Sequence, residues 1–253
     1  MSLDQLDFTK FPLWLREGPW TWEAKGTLAV VSLGLVLSFP KALDAFVVED
    51  GLEEVNWAYG GGAAFLVGVL AYMGKNIGYG PLVSFTMMSW CLTTMRYMLG
   101  IFGGSYASRV LASLLRFPSV AQHTVVVTIW WLVLVPLLGA TMDKRGRRNF
   151  AKFNTRPFLL SVHLLDLPLA AADACYFHPR RLNFADFWAA ALVAFTYVLF
   201  YLLFLDPQGL HFYIILSPRT RFTPIVYGSI LLYYYAIFHF WDAVAARRLA
   251  HLQ

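Results

Sequence analysis

Among the ionisable residues inside long apolar stretches of this sequence, four stand out: Arg96, His163, Asp166 and Asp173. Charged groups at membrane depth are costly, so they are candidates for function. His163 and Asp166 are three residues apart, and Asp173 lies ten residues after His163, so a regular α-helix places them on one face. An imidazole beside carboxylates can transfer protons, or it can form a hydrogen-bonded network that holds helices together. These residues alone leave both interpretations open.

The apolar stretch around Arg96 also carries hydroxyl groups: Ser84, Thr86, Ser89, Thr93 and Thr94. A single hydroxyl in a membrane helix usually bonds back to its own helix, so none of the five is distinguished as a nucleophile. Five of the six histidines fall in different segments without a metal-binding spacing: His123, His163, His178, His211 and His239. We therefore expect no metal and no cofactor.

The composition indicates where these residues must be held. The chain has 253 residues, of which 58% are hydrophobic and 14% charged, whereas soluble domains have about 25% charged residues. Such a chain cannot cover a water-facing surface, which excludes a soluble globular domain and a disordered protein. Its basic residues lie between apolar blocks and not on one polar face, so nucleic acid is not an expected partner.

Seven blocks are long enough for membrane helices, which need about 20 mostly apolar residues. They are Gly26–Val48, Asn56–Tyr72, Pro81–Phe102, Pro118–Thr141, Pro157–Phe177, Phe187–Leu205 and Thr223–Val244. The sequence predicts an all-α, polytopic transmembrane helix bundle with about seven membrane helices. Residues 1–25 are expected to form an interfacial segment and residues 26–253 a single transmembrane domain. Pro40 interrupts the first block and predicts a kink or a shorter helix there.

Lysine and arginine are more numerous on the side of the predicted bundle that holds the N-terminus. The largest group lies in one loop and comprises Lys144, Arg145, Arg147, Arg148, Lys152 and Arg156. By the positive-inside rule this side faces the cytoplasm, or the matrix in a mitochondrion. The acidic stretch Glu49–Glu54 then lies on the other side, where we expect an exposed loop with solvated charges.

Several short motifs between Tyr72 and Leu231 occur in a recognisable order. They are Leu82-Val83-Ser84-Phe85, Phe117-Pro118 followed by Val125–Trp131, His163 with Pro168 and Asp173, and Gly209, Tyr213 and Leu216 followed by Arg221 and Gly228-Ser229. Together they resemble the androgen-induced, androgen-dependent family of multi-pass membrane hydrolases, which cleave fatty acid esters of hydroxy fatty acids.

The resemblance implies a lipid ester hydrolase in the endoplasmic reticulum or another internal membrane, with membrane lipids as partners. It places Ser84 at the position of the family's threonine nucleophile and His163 at its histidine. Asp166 or Asp173 would then orient the imidazole. Ser84 and His163 follow the starts of two blocks that enter from the same side, at depths that differ by about 4–5 Å.

A second hypothesis belongs to a different class of protein. The family's polar residues after the histidine are Leu164 and Leu165 here, and an additional apolar block precedes the matching region. These departures suit a non-catalytic membrane subunit that retains the fold. Its partners would be other membrane subunits of a larger assembly, for example a respiratory or ATP-synthase complex of the mitochondrial inner membrane.

Overall fold

The computed structural model describes residues 12–49, 56–102, 104–140, 142–211 and 213–252, and these residues contain helices and no strands. The α-helices are α1 Leu13–Arg16, α2 Trp22–Ala45, α3 Asn56–Asn76, α4 Phe85–Ile101, α5 Tyr106–Thr128, α6 Val135–Ala140, α7 Lys144–Asn154, α8 Pro157–Leu160, α9 Asp166–Ala172, α10 Phe184–Phe200 and α11 Thr223–Ala250. The predicted all-α class is confirmed.

Wider helical turns connect several of these elements. The described residues contain four π-helical turns, at Ile129–Leu134, Ser161–Leu165, Asp173–Phe177 and Tyr201–Leu205. A π turn closes i→i+5 hydrogen bonds and so contains an extra residue. Because the backbone stays helical, α5 continues into α6 and α8 continues into α9. Shorter 3-10 turns form Gly80–Val83, Asp206–Gln208 and Ile214–Leu216.

Five helical stretches of the described residues are long and apolar enough to cross a membrane: Trp22–Ala45, Trp57–Asn76, Tyr106–Ala140, Pro157–Phe177 and Phe184–Gln208. The chain is therefore an integral membrane protein built as a helical bundle. The remaining two predicted blocks are also helical, as α4 with 17 residues and α11 with 28.

Two prolines lie inside helices where the sequence predicts an interruption, at Pro40, or the start of a block, at Pro118. α2 continues through Pro40, and α5 begins at Tyr106, well before Pro118. Proline is tolerated within membrane helices because neighbouring groups satisfy the freed backbone atoms. The basic loop after α6 also contains a helix, α7, because the Asp143 side chain accepts a hydrogen bond of 2.6 Å from the Gly146 amide and caps it.

The chain divides into two compact units. The first comprises Met1–Phe46 and Leu182–Phe240, and the second comprises Val47–Arg181 and Trp241–Gln253. In the first unit α2 and α10 are joined where the Trp188 indole donates a hydrogen bond of 3.0 Å to the Leu35 carbonyl. Asp206 accepts hydrogen bonds of 2.9 and 2.7 Å from Arg219 in the same unit.

In the second unit α3 and α4 pack through glycines that face tyrosine rings. A Cβ atom on Gly100 would lie 2.5 Å from the ring of Tyr59, and one on Gly62 would collide with the ring of Tyr97. The two tyrosine rings meet edge to face with centroids 5.4 Å apart. Small residues let membrane helices approach closely, and here they also fix the position of Tyr59.

Candidate functional site

Three fully buried side chains in the second unit form a continuous polar chain. The hydroxyl of Thr93 on α4 lies 2.7 Å from Nε2 of His123 on α5. Nδ1 of the same imidazole lies 2.8 Å from Oδ2 of Asp166, the first residue of α9. All three residues have 0% relative exposure. The chain thus runs from a hydroxyl through an imidazole to a carboxylate.

Thr93 differs from the neighbouring hydroxyl residues of α4. Ser89 and Thr94 each donate a hydrogen bond of 2.8 Å to a carbonyl four residues earlier in their own helix, at Phe85 and Trp90. Thr93 is bonded instead to His123 on another helix. Among these three residues, Thr93 is therefore the one whose hydroxyl contacts an imidazole, a group that can take up its proton.

The position of Asp166 follows from the end of a π turn. Ser161–Leu165 forms this turn, and α9 begins at Asp166. One carboxylate oxygen accepts a hydrogen bond of 2.8 Å from the Leu167 amide, while the other faces His123. The contact with His123 is short but is not aligned as a hydrogen bond. Catalytic contacts often align fully only when substrate is bound.

The order of atoms matches that of hydrolytic triads. A carboxylate at Nδ1 favours the tautomer with its proton there, which leaves Nε2 to accept the proton of the hydroxyl. A threonine oxygen activated in this way can attack a carbonyl carbon. The arrangement could support covalent acyl transfer.

The structure places Ser84 and His163 in separate local bonding patterns. The Ser84 hydroxyl caps α4 and accepts a hydrogen bond of 3.3 Å from the Met87 amide. Nδ1 of His163 donates to the Leu159 carbonyl at 3.2 Å, and its ring stacks on Trp130 with centroids 3.9 Å apart. Within the described part of the chain, no hydrogen bond joins Ser84 to His163.

The two predicted carboxylates also have separate partners. Asp166 contacts His123, whereas Asp173 accepts hydrogen bonds of 2.9 and 3.0 Å from Arg96 and one of 2.7 Å from the Tyr59 hydroxyl. Asp166 was predicted as a site residue, whereas its partner His123 was not. His123 lies within the fourth predicted block, so the criterion that singled out Arg96 would also have found it.

Asp173 belongs to a second buried cluster, which also contains Glu49. Arg96 lies 2.7 Å from one carboxylate oxygen of Glu49, and Arg116 lies 3.2 Å from the other. Burial raises the pKa of Glu49, but the attraction of Arg96 and Arg116 outweighs it and holds the pKa below its usual value. Arg116 also donates a hydrogen bond to the Ala174 carbonyl.

This cluster corrects one expectation from the sequence. Glu49 was expected in an exposed loop with solvated charges, but it is 5% exposed and paired with arginines. Its backbone amide also donates a hydrogen bond of 2.8 Å to the Ser113 hydroxyl. The rest of the predicted loop, residues 50–54, lies outside the described residues.

Among the described residues no group of three or more His, Cys, Asp or Glu side chains is placed to hold a metal ion. No protein-family model matches this chain, and neither a curated protein nor a solved structure matches it. The fold defines an all-helical integral membrane protein. The resemblance to the androgen-induced family stays a prediction.

Proposed function

We propose that this protein is an integral membrane hydrolase of fatty acyl esters in which Thr93 is the nucleophile. The observation that carries the proposal is the buried chain Thr93–His123–Asp166, which joins a hydroxyl, an imidazole and a carboxylate on three helical segments. The resemblance to lipid ester hydrolases supports the same chemistry, although it places Ser84 and His163 in the catalytic roles.

In the proposed mechanism Thr93 Oγ1 attacks the ester carbonyl carbon as its proton passes to Nε2 of His123. Asp166 holds the opposite side of the ring and stabilises the imidazolium. The tetrahedral intermediate collapses, and the departing alcohol takes the proton from Nε2. Water then attacks the acyl-threonine, again with His123 as the base, and releases the fatty acid. Since all three side chains are buried, the helices must separate locally to admit the ester, as lids do in other enzymes.

We further propose that α4 and α11 cross the membrane, which gives seven crossings. α4 and α8–α9 would then enter from the same side. Thr93 lies eight residues after the start of α4, and Asp166 lies nine residues after Pro157. These offsets correspond to depths of about 12 and 14 Å, so the two residues would lie at the same level of the bundle. An internal membrane such as the endoplasmic reticulum would supply the lipid substrate.

The proposal is tested by covalent labelling and turnover in detergent micelles. We expect a fluorophosphonate probe to label the parent protein and Thr93→Ser but not Thr93→Val. His123→Gln should reduce hydrolysis of a fatty acid ester of a hydroxy fatty acid by about 10²–10⁴-fold, the usual contribution of a general base. Thr94→Val is the matched control, because Thr94 is adjacent and buried but bonded to its own helix.

The two catalytic assignments give different outcomes in this experiment. If Ser84 and His163 act, Ser84→Ala and His163→Gln abolish labelling while Thr93→Val retains it. If none of these substitutions changes labelling, or the parent is not labelled, the hydrolase proposal is wrong.

The complete burial of Thr93, His123 and Asp166 favours a second candidate function. A polar network with no exposed atom can hold helices together without taking part in a reaction, as in a non-catalytic subunit of a membrane complex. For that function we expect the chain to migrate with larger partners in native gels of mildly solubilised membranes. We also expect Thr93→Val to change stability without changing any hydrolysis above background.

A further inference from the structure

The basic helix α7 lies where it must meet the membrane surface. It occupies most of the short connection between two apolar stretches, Tyr106–Ala140 and Pro157–Phe177, each long enough to cross a membrane. A segment held so closely at both ends cannot extend far from the headgroup region. α7 is therefore an interfacial helix.

One face of α7 is fixed to the protein. Asn154, at its last position, is 3% exposed, and its side chain accepts a hydrogen bond of 2.9 Å from the Trp130 indole. The Asn154 amide group also donates to the Phe150 carbonyl at 2.8 Å. Phe150 and Phe153 on the same side are half-buried. These contacts determine which face of the helix points outwards.

The opposite face is basic. Four exposed side chains occupy positions that a helix brings together: Lys144, Arg145, Arg148 and Lys152. Among the described residues, none of the four has an acidic partner within ion-pair distance. Asp143, the nearby acid, caps the helix through its bond to the Gly146 amide. Positive charges packed so closely repel one another unless anions lie beside them.

We infer that this basic face binds the phosphate groups of anionic phospholipids in the adjoining leaflet. Lysine and arginine near a membrane surface attract acidic lipids, and the attraction grows with each charge. The half-buried phenylalanines and the bond to Trp130 hold α7 against the bundle, so its cationic side chains are directed to the headgroups. This inference does not depend on the proposed hydrolase activity.

The experiment uses the full-length protein in neutral detergent, with retained lipids detected by native mass spectrometry. We expect phosphatidylglycerol to bind in preference to phosphatidylcholine. The variant Lys144→Gln/Arg145→Gln/Arg148→Gln/Lys152→Gln should bind phosphatidylglycerol at least about tenfold more weakly. Raising the salt concentration should reduce the preference in the parent, since exposed charges are screened.

A control variant removes the same amount of charge elsewhere. Lys25→Gln/Lys41→Gln/Lys75→Gln/Arg221→Gln alters four other exposed basic residues and should bind phosphatidylglycerol like the parent. Equal binding by the parent and the α7 variant would overturn the inference, and so would equal losses in the two variants.

Inorganic phosphate is a second control. When it is added at the same concentration as the lipid, it should not compete with phosphatidylglycerol. Full competition would indicate a general anion site, contrary to the inference. Both variants should keep the parent's Tm, because the substituted side chains are exposed.

Discussion

The second unit contains two buried polar clusters that differ in composition. One is the Glu49 cluster, formed by Glu49, Tyr59, Arg96, Arg116 and Asp173, and the other is the chain Thr93–His123–Asp166. In the Glu49 cluster, Asp173 accepts hydrogen bonds from Arg96 and Tyr59, and Glu49 lies between Arg96 and Arg116. Arginine does not give up its proton in proteins, so its contacts with Asp173 and Glu49 cannot transfer one. The chain Thr93–His123–Asp166 is linear and contains an imidazole, which can exchange a proton. Burial alone therefore does not distinguish a purely structural polar cluster from a reactive site.

The largest effect should come from breaking the Glu49 cluster at its centre. Replacing Arg96 with Met leaves Asp173 without its arginine and leaves Glu49 with Arg116 as its fully buried cation. Loss of one partner in such buried pairs costs about 3–5 kcal/mol. We expect the free energy of unfolding in detergent to fall by that amount.

Arg181→Met is the matched control, because Arg181 also binds an aspartate, Asp242, through two hydrogen bonds of 2.7 and 2.5 Å. The Arg181 side chain is 63% exposed, so water can replace its partner and the free energy of unfolding should hardly change. Equal losses in the two variants would contradict a structural role for the Glu49 cluster.

A smaller effect should follow from displacing Tyr59. A methyl group on Gly100 overlaps its ring, so Gly100→Ala should cost about 1–3 kcal/mol of unfolding free energy. The hydrogen bond from Tyr59 to Asp173 should weaken as the ring moves. Gly68→Ala in α3 has no atom within 4 Å of the new methyl group and should not destabilise the protein. Urea-induced or SDS-induced unfolding distinguishes the two variants.

Removing the Thr93 hydroxyl should have a comparable or smaller effect on stability. Thr93→Val keeps the side-chain shape but leaves Nε2 of His123 without its partner, which costs about 1–3 kcal/mol. The Glu49 cluster is not touched, so Thr93→Val and Gly100→Ala should be additive in their unfolding free energies. Strong coupling between the two substitutions would mean that the clusters form one network.

The smallest effect is a pH dependence that belongs to the Glu49 cluster. The pKa of Glu49 in the folded protein lies below its usual value of 4.5. The carboxylate therefore stabilises the fold fully above about pH 4.5, and this contribution is lost as the pH falls through the lower, folded-state pKa. Glu49→Gln should flatten the decline in Tm over this acidic range. An unchanged decline would mean that other groups cause it.

Five apolar stretches and the basic connection at α7 could be recognised from the sequence, because length and hydropathy determine them directly. The partners of the buried polar residues could not. A regular helix predicts that His163 and Asp166 share a face, but the π turn Ser161–Leu165 precedes Asp166 and changes that relation. Asp166 contacts His123, which lies on α5, a helix distant in sequence. Glu49 was assigned to solvent because its arginine partners also come from distant helices.

The four π turns have a further consequence for comparing this chain with relatives. A π turn corresponds to a single residue inserted into an α-helix, with the turns on either side left intact. Homologous sequences are therefore expected to differ from this one by gaps of one residue within membrane helices. Such a gap at Ser161–Leu165 would shift Asp166 relative to His163. An alignment without this gap would match Asp166 to a residue one position away from its true counterpart in the homologue.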